Sequence, residues 1–327
     1  MSRLNELRMI ARVAQMYHVE NQRQADIANH LRISQATISR MLKRAQEEEI
    51  VRTTVVAPSG TYADLEAGLR SKFGLSEAIV VECSEDRDGA IMARIGEAAA
   101  HFVEATLQPG EIIGVSSWSE TILKMVDNIH PMKSGKAKFV VQTLGGMGDP
   151  TVQIHANQLT TRLAKLTGAE ASLLSAPGVA QSREAKLVLS GDSYVRETMD
   201  LFEKVTLAIV GIGAVEPSSM LARSGNVFST RELAAVKEAG GVGDVSLRFF
   251  DIDGNPVKTP LDERVIGMTL DELARIDRVI ALAGGQSKTR AIQGALKAGV
   301  IDLLVTDKFT AGRLVSDAQD QTLSEQM

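Results

Sequence analysis

The 327-residue chain has one cysteine, Cys83, so neither an internal disulfide framework nor a cysteine-based zinc cluster is open to it. A buried spectator thiol is the ordinary reading of such a residue. Aromatic residues are only 4% of the composition, with a single tryptophan at Trp118. No run of 18 apolar residues occurs, which argues against a membrane-spanning helix, and the opening MSRLNELRMIARV has the pattern of an amphipathic helix rather than a secretory leader. A cytoplasmic protein is expected. Internal repeats and low-complexity tracts are missing as well, apart from a short polar tail, QDQTLSEQM.

What is present is 44% hydrophobic residues, enough for a small domain plus one large one with a substantial core. The net charge of −5 is unevenly spread: residues 1–58 carry nine basic against six acidic side chains, and the remainder carries 27 against 35. A modestly basic head on an acidic body suits site-specific binding of nucleic acid by a small module better than sequence-blind coating.

The head has a clear pattern. QRQADIANHLRISQATISRMLKR, residues 22–44, reads as two short helices joined by a tight turn. The first helix is expected from Gln24 to Leu31, burying Ile27, Ala28 and Leu31, with Ala28 small enough to let a steeply crossing partner approach. Ser34 is a good N-cap for a second helix reaching to Gln46, held to the core by Ile38, Met41 and Leu42. The outer face carries Gln35, Ala36, Thr37, Ser39, Arg40, Lys43 and Arg44, short hydrogen-bonding groups first and cations later. Together with Ser34, and with Gln24 at the start of the first helix, these are the candidate DNA contacts, since the beginning of such a helix meets base edges while Arg and Lys reach phosphates. Arg32 stands in the turn where glycine is frequent, so a strained backbone is expected there. Upstream, Leu4, Leu7, Ile10, Ala11, Val13 and Ala14 supply the stripe of a third helix. Downstream, IVRTTVV (50–56) reads as a strand, the remnant of a wing, and Pro58-Ser59-Gly60 marks the domain boundary.

From residue 61 onward, apolar runs at 78–81, 112–115, 138–144, 207–212, 278–283 and 302–307 alternate with amphipathic stretches. This predicts an α/β domain with a mostly parallel sheet covered on both faces, whose ligands bind beyond the carboxyl ends of the strands. Three loops there are candidates. Ser116, Ser117, Trp118, Ser119, Glu120 and Thr121 cluster hydroxyls at a helix N-terminus, Gly145 and Gly146 let backbone approach a ligand, and Gly284 and Gly285 precede Lys288, which can neutralise an anion. The aspartates Asp251, Asp253 and Asp307 lie near strand ends; Asp251 is kept as a candidate hydrogen-bond acceptor for a ligand, and Asp253-Gly254-Asn255 is read as a turn.

The head together with GVSSWSETI, LGGMG, LAIVGIGAV, GDVSLRFFDIDG, RVIGMTLDEL, LAGGQSKTRAIQGALKAGVIDLLVTD and FTAGRLV resembles, from end to end, the SorC family of bacterial sugar-responsive transcriptional regulators. The stretch from Arg264 to Val315 is the most specific part. The resemblance implies a winged-helix-like helix-turn-helix domain at 1–58. It implies a Rossmann-like sensor at 59–327, related to phosphosugar isomerases and deaminases, that has kept the pocket and lost the catalysis. It also implies homo-tetramers, operator DNA and a sugar, polyol or phosphosugar effector as partners, Lys288 on the effector's phosphate or hydroxyl end, and the Ser116 to Thr121 loop around its other groups. Where the family commonly has Trp-Gly in that loop, this chain has Trp118-Ser119.

The competing reading is an active phosphosugar isomerase or deaminase with an accessory DNA-binding head. That chemistry needs a positioned carboxylate base helped by a histidine or lysine. Of five histidines, His18 and His30 fall in the head, and His101 and His130 fall away from the glycine loops. His155 is the one candidate, and it has no carboxylate neighbour in sequence. The pocket is therefore read as binding only, with no cofactor and no metal.

Overall fold

The computed structural model describes residues 3–52, 58, 60–132 and 137–324. The chain divides into two compact units, Met1–Pro58 and Ser59–Met327. In the first, α1 (Arg3–His18), α2 (Gln24–Leu31) and α3 (Gln35–Glu47) close on a core of Ile10, Val13, Ala14, Met16, Ile27, Ala28, Ile38, Leu42 and Ala45. The expected stripe on α1 is buried only from Ile10 onward; Leu4 and Ala11 are exposed, and Met16 joins the core instead. Arg32 adopts the left-handed conformation, φ 53° and ψ 42°, and its neighbour Ile33 closes the turn by donating its N–H to the Ala28 carbonyl at 3.1 Å. Ser34 caps α3, its hydroxyl accepting the Thr37 N–H at 3.2 Å. Ile50, Val51 and Arg52 form no strand, and the rest of the expected wing lies outside the described residues.

The second unit opens with α4 (Ala63–Phe73), β1 (Glu77–Val81), α5 (Asp88–Thr106), β2 (Glu111–Val115), α6 (Glu120–Asn128), β3 (Ala137–Gln142), α7 (Pro150–Thr167) and β4 (Glu170–Ser172). It continues with α8 (Arg183–Gly191), α9 (Ser193–Met199), β5 (Leu207–Gly211), β6 (Gly213–Ala214), α10 (Ser219–Ser224), α11 (Thr230–Glu238), β7 (Gly241–Val245) and β8 (Arg248–Asp251). It ends with α12 (Leu270–Leu273), β9 (Arg278–Leu282), α13 (Thr289–Lys297), β10 (Leu303–Asp307) and α14 (Lys308–Ser324). Seven strands form one parallel sheet in the order β1-β10-β9-β5-β2-β3-β4, and β6, β7 and β8 form a small antiparallel one.

Each central strand is apolar on both sides because both faces of the parallel sheet are covered. Along β5, Leu207 and Ile209 pack against α5, α6 and α7, while Ala208 and Val210 face the opposite layer, which holds α4, α13 and α14. The same alternation holds for Val279, Ile280, Ala281 and Leu282 of β9. The helix that follows β2 thus lies on one face and the helix that follows β9 on the other. That arrangement opens a crevice at the carboxyl ends of β2, β5 and β9, where open α/β sheets bind their ligands. The segment between β5 and β9 carries the small sheet, which packs on the strand ends through Trp118, Leu144, Val215, Met220, Phe228, Leu247 and Phe249.

Candidate functional site

Strand register sets the site. Val115 of β2 pairs with Ile209 of β5, and Gly211 of β5 pairs with Leu282 of β9, so the loops beginning at Ser116, Ile212 and Ala283 leave the sheet side by side. Two residues past β5, Gly213 pairs with Asp244 of β7, which carries the Asp244 carboxylate back to the same edge. No side chain larger than hydrogen fits at Gly213, because a Cβ would collide with Asp244 Oδ1. At Gly285, φ is +99° and a Cβ would stand 2.7 Å from Asp88 Oδ1, so glycine there both makes the turn and admits the first residue of α5.

Lys288 ends a single 3-10 turn, Gln286–Lys288, in front of α13. The residue is half-buried, and among the described residues no carboxylate oxygen lies within 4.0 Å of its ammonium. Desolvation pulls its pKa below the usual lysine value, while Asp244, Asp88 and Glu120 push the other way. Asp244 is 8% exposed; burial raises its pKa to about 6, against a 2.8 Å hydrogen bond accepted from the Leu247 N–H and the nearby Lys288 charge. An amine and carboxylates near one another without direct pairing form a polar cluster whose chemistry suits hydroxyl groups, which donate and accept at once.

The expected site residues separate into those at the cavity edge and those that build its walls. Ser119 caps α6 by accepting the Ile122 N–H at 3.3 Å, and Glu120 accepts a 2.9 Å hydrogen bond from Ser219 of α10. Ser116, Ser117 and Thr121 are buried, and the Ser117 hydroxyl has no partner among the described residues. Trp118 is 5% exposed and its ring nitrogen donates to the Gly145 carbonyl at 2.8 Å, bracing the β2 loop against the β3 loop. Gly145 and Gly146 are taken up by the chain itself: their N–H groups donate to Ile266 and Leu174 carbonyls at 3.0 and 3.1 Å, and a Cβ on either would strike Pro177 or Gln142. Their close approach serves segments 174–178 and 266–267. Gly284 lies against Asp307, Ile91 and Ile95.

Asp251 departs from expectation. It pairs with Gly241 at the end of the small sheet remote from Asp244, and its carboxylate accepts the N–H groups of Asp253 and Asn255, each at 2.9 Å, so it builds the turn. Asp307 is fully buried, accepting from Gly285, Phe309 and Thr310 at 2.6–3.2 Å, and it caps α14. His155 lies on α7, but its side chain falls outside those described. Two residues that sequence reasoning missed, Asp88 and Asp244, complete the charged cluster around Lys288. Asp244 carried a signal, a lone carboxylate inside the apolar stretch GVGDVSLRFF.

On α3, Ser34, Gln35, Ala36, Ser39, Arg40 and Lys43 are exposed and Thr37 is half-buried. Thr37 is held by the Ser34 hydroxyl at 2.8 Å and receives a 3.4 Å contact from Arg40. Gln24 is the half-buried first residue of α2. Arg44 is engaged differently from expectation: its guanidinium donates to Glu6 of α1 and lies 3.8 Å from Glu48. That brace ties α1 to α3, and it holds the Glu6 carboxyl below and the Arg44 guanidinium above their ordinary pKa values.

Residues 58–316 match the family described as "Putative sugar-binding domain". The chain is 31% identical to the deoxyribonucleoside regulator of Bacillus subtilis (strain 168), over 93% of its own length and 96% of that protein's. It is 30% identical to the sorbitol operon regulator of Klebsiella pneumoniae, over 96% and 100%. The crystal structure of full-length SorC from Klebsiella pneumoniae superposes with a TM-score of 0.70 at 29% identity, covering 94% of this chain and 98% of that one. The chain belongs to the SorC family of transcriptional regulators.

Charge in that cavity weighs on the fold. Between about pH 4 and 6 the folded chain keeps a proton on Asp244 that the unfolded chain has released, so stability falls as pH rises through this window. Above it, burial of the charge costs about 3 kcal/mol. Asp244→Asn is therefore expected to stabilise the chain by about 2–3 kcal/mol at pH 8 and hardly at all near pH 4, read from urea unfolding. A difference independent of pH would show that Asp244 is not buried as a charge.

Proposed function

We propose that this regulator controls a carbohydrate or polyol catabolic operon in the cytoplasm, reading its operator with α3 and responding to a sugar, polyol or phosphosugar held at the ends of β2, β5 and β9. The single observation that carries the reading is Lys288, a half-buried lysine at the strand ends without an ion-pair partner among the described residues and near Asp244. Ligand hydroxyls would donate to Asp244, while Lys288 would donate to a ligand oxygen. Asp244 is also the group that would suit a proton-abstracting isomerase, but its Oδ2 is committed to the Leu247 N–H and the side chain is 8% exposed, so binding without chemistry is the better supported role.

A single helix-turn-helix makes too few contacts for tight specific binding, and we take the working form to be a homo-tetramer, a dimer of dimers whose heads meet half-sites separated by whole turns of DNA. The effector acts only through its differential affinity for the arrangements of that assembly. Lys288→Ala should abolish the effector's influence on operator affinity and leave effector-free operator binding within about twofold of the parent. Normal release or engagement of DNA by effector in that variant would remove the lysine from the site.

For the head, Arg40→Ala with Lys43→Ala should weaken operator binding and reduce the slope of log affinity against log salt by roughly two, one for each phosphate no longer neutralised. Arg44→Ala should leave that slope unchanged and lower the stability of the head, because its guanidinium is engaged by Glu6 and Glu48. Equal slopes for the double variant and the parent would show that this face of α3 does not meet DNA.

A further inference from the structure

The electrostatics of the cavity select among the ligand classes just proposed, and the selection rests on that reading of the site. Three carboxylates gather at these strand ends: Asp244 lies against Gly213 after β5, Asp88 against Gly285 in the loop that leads to Lys288, and Glu120 opens the helix after β2; no arginine is among the charges that act on Lys288. With all four ionised the cluster carries two negative charges in excess. The positive helix ends are also taken: Asp88 is the first residue of α5 and Glu120 the first residue of α6. An acidic side chain there already satisfies the partial positive charge that a phosphate would use. Glu120 is held in place by Ser219, and the Ser119 hydroxyl occupies the Ile122 N–H. A phosphate monoester would bring a further charge of about −1.5 to −2 into this surrounding. A neutral polyol brings donors for three carboxylates and acceptors for one ammonium, matching what the walls offer.

We propose that the effector is an uncharged polyhydroxyl compound, a free sugar or alditol, and that the site rejects the phosphate ester of the same compound. Asp88 and Glu120 are the specificity determinants; Lys288 and Asp244 supply the affinity for hydroxyl groups.

The test uses the full chain in thermal-shift and calorimetric titrations against alditols and aldoses of four to six carbons. Each is offered beside its terminal monophosphate, with inorganic phosphate as the anion control. One neutral compound is expected to bind saturably and at least about tenfold more tightly than its ester, as one charge contact at close range would give. Its binding should be lost in Lys288→Ala. In the double variant Asp88→Asn with Glu120→Gln the gap should narrow by about tenfold, the ester gaining affinity. An ester that binds the parent more tightly than its neutral partner, in a Lys288-dependent way, overturns the proposal while leaving the strand-end site standing. If no carbohydrate of either kind binds, the effector site itself is wrongly placed, and inorganic phosphate decides the charge argument. Phosphate binding by the double variant but not by the parent upholds it, and equal response of the two refutes it.

Discussion

Because β5 lies between β2 and β9 and all three run in the same direction, their loops start side by side, while α6 and α13 depart to opposite faces of the sheet. The crevice is a consequence of that divergence and not of any one side chain. Everything else in the body is placed by reference to it. The insertion between β5 and β9 returns over the strand ends as a small sheet, and the pairing of Gly213 with Asp244 brings a carboxylate to the edge where Lys288 arrives from β9. Trp118 locks the floor by donating to Gly145.

The cavity holds its charges at a cost. Burial lowers the pKa of Lys288 and raises that of Asp244, so each is less favourably ionised in the folded chain than in water. Direct pairing would offset much of this, yet no carboxylate oxygen sits within 4.0 Å of the ammonium among the described residues. Elsewhere the same domain satisfies a buried cation fully. Arg248 donates to the carbonyls of Asp262, Met268 and Gly267 at 3.0–3.3 Å and fastens segment 259–268 to the small sheet. The contrast is direct: Arg248 is satisfied by carbonyls of the chain, whereas no carboxylate pairs with Lys288 among the described residues.

How much of this the amino-acid pattern disclosed depends on where burial originates. The six apolar runs became β1, β2, β3, β5, β9 and β10 because a strand covered on both faces needs apolar residues throughout. The small sheet was less visible, since β6 is two residues long and β7 reads GVGDV, and both are fixed by packing on the strand ends. Arg32 and Ser34 behaved as their positions in the turn suggested. Arg44 looked like a phosphate contact because its partner Glu6 lies 38 residues away. Gly145 and Gly146 pointed to a ligand, yet the backbone approaching them belongs to Pro177 and its neighbours, which no local pattern reveals. Asp88 was hidden in an acidic stretch that reads as an ordinary helix start.

A transcriptional regulator works by coupling its effector site to its DNA-reading helix, and coupling free energy is reciprocal. The direct measurement is the affinity of the full chain for its stabilising carbohydrate, titrated once alone and once saturated with operator DNA. Saturation with operator is expected to shift this affinity by at least about fivefold, the low end of ordinary coupling between two sites. A carbohydrate affinity that is identical with and without operator would contradict the coupling, because reciprocity then leaves operator affinity untouched by the carbohydrate.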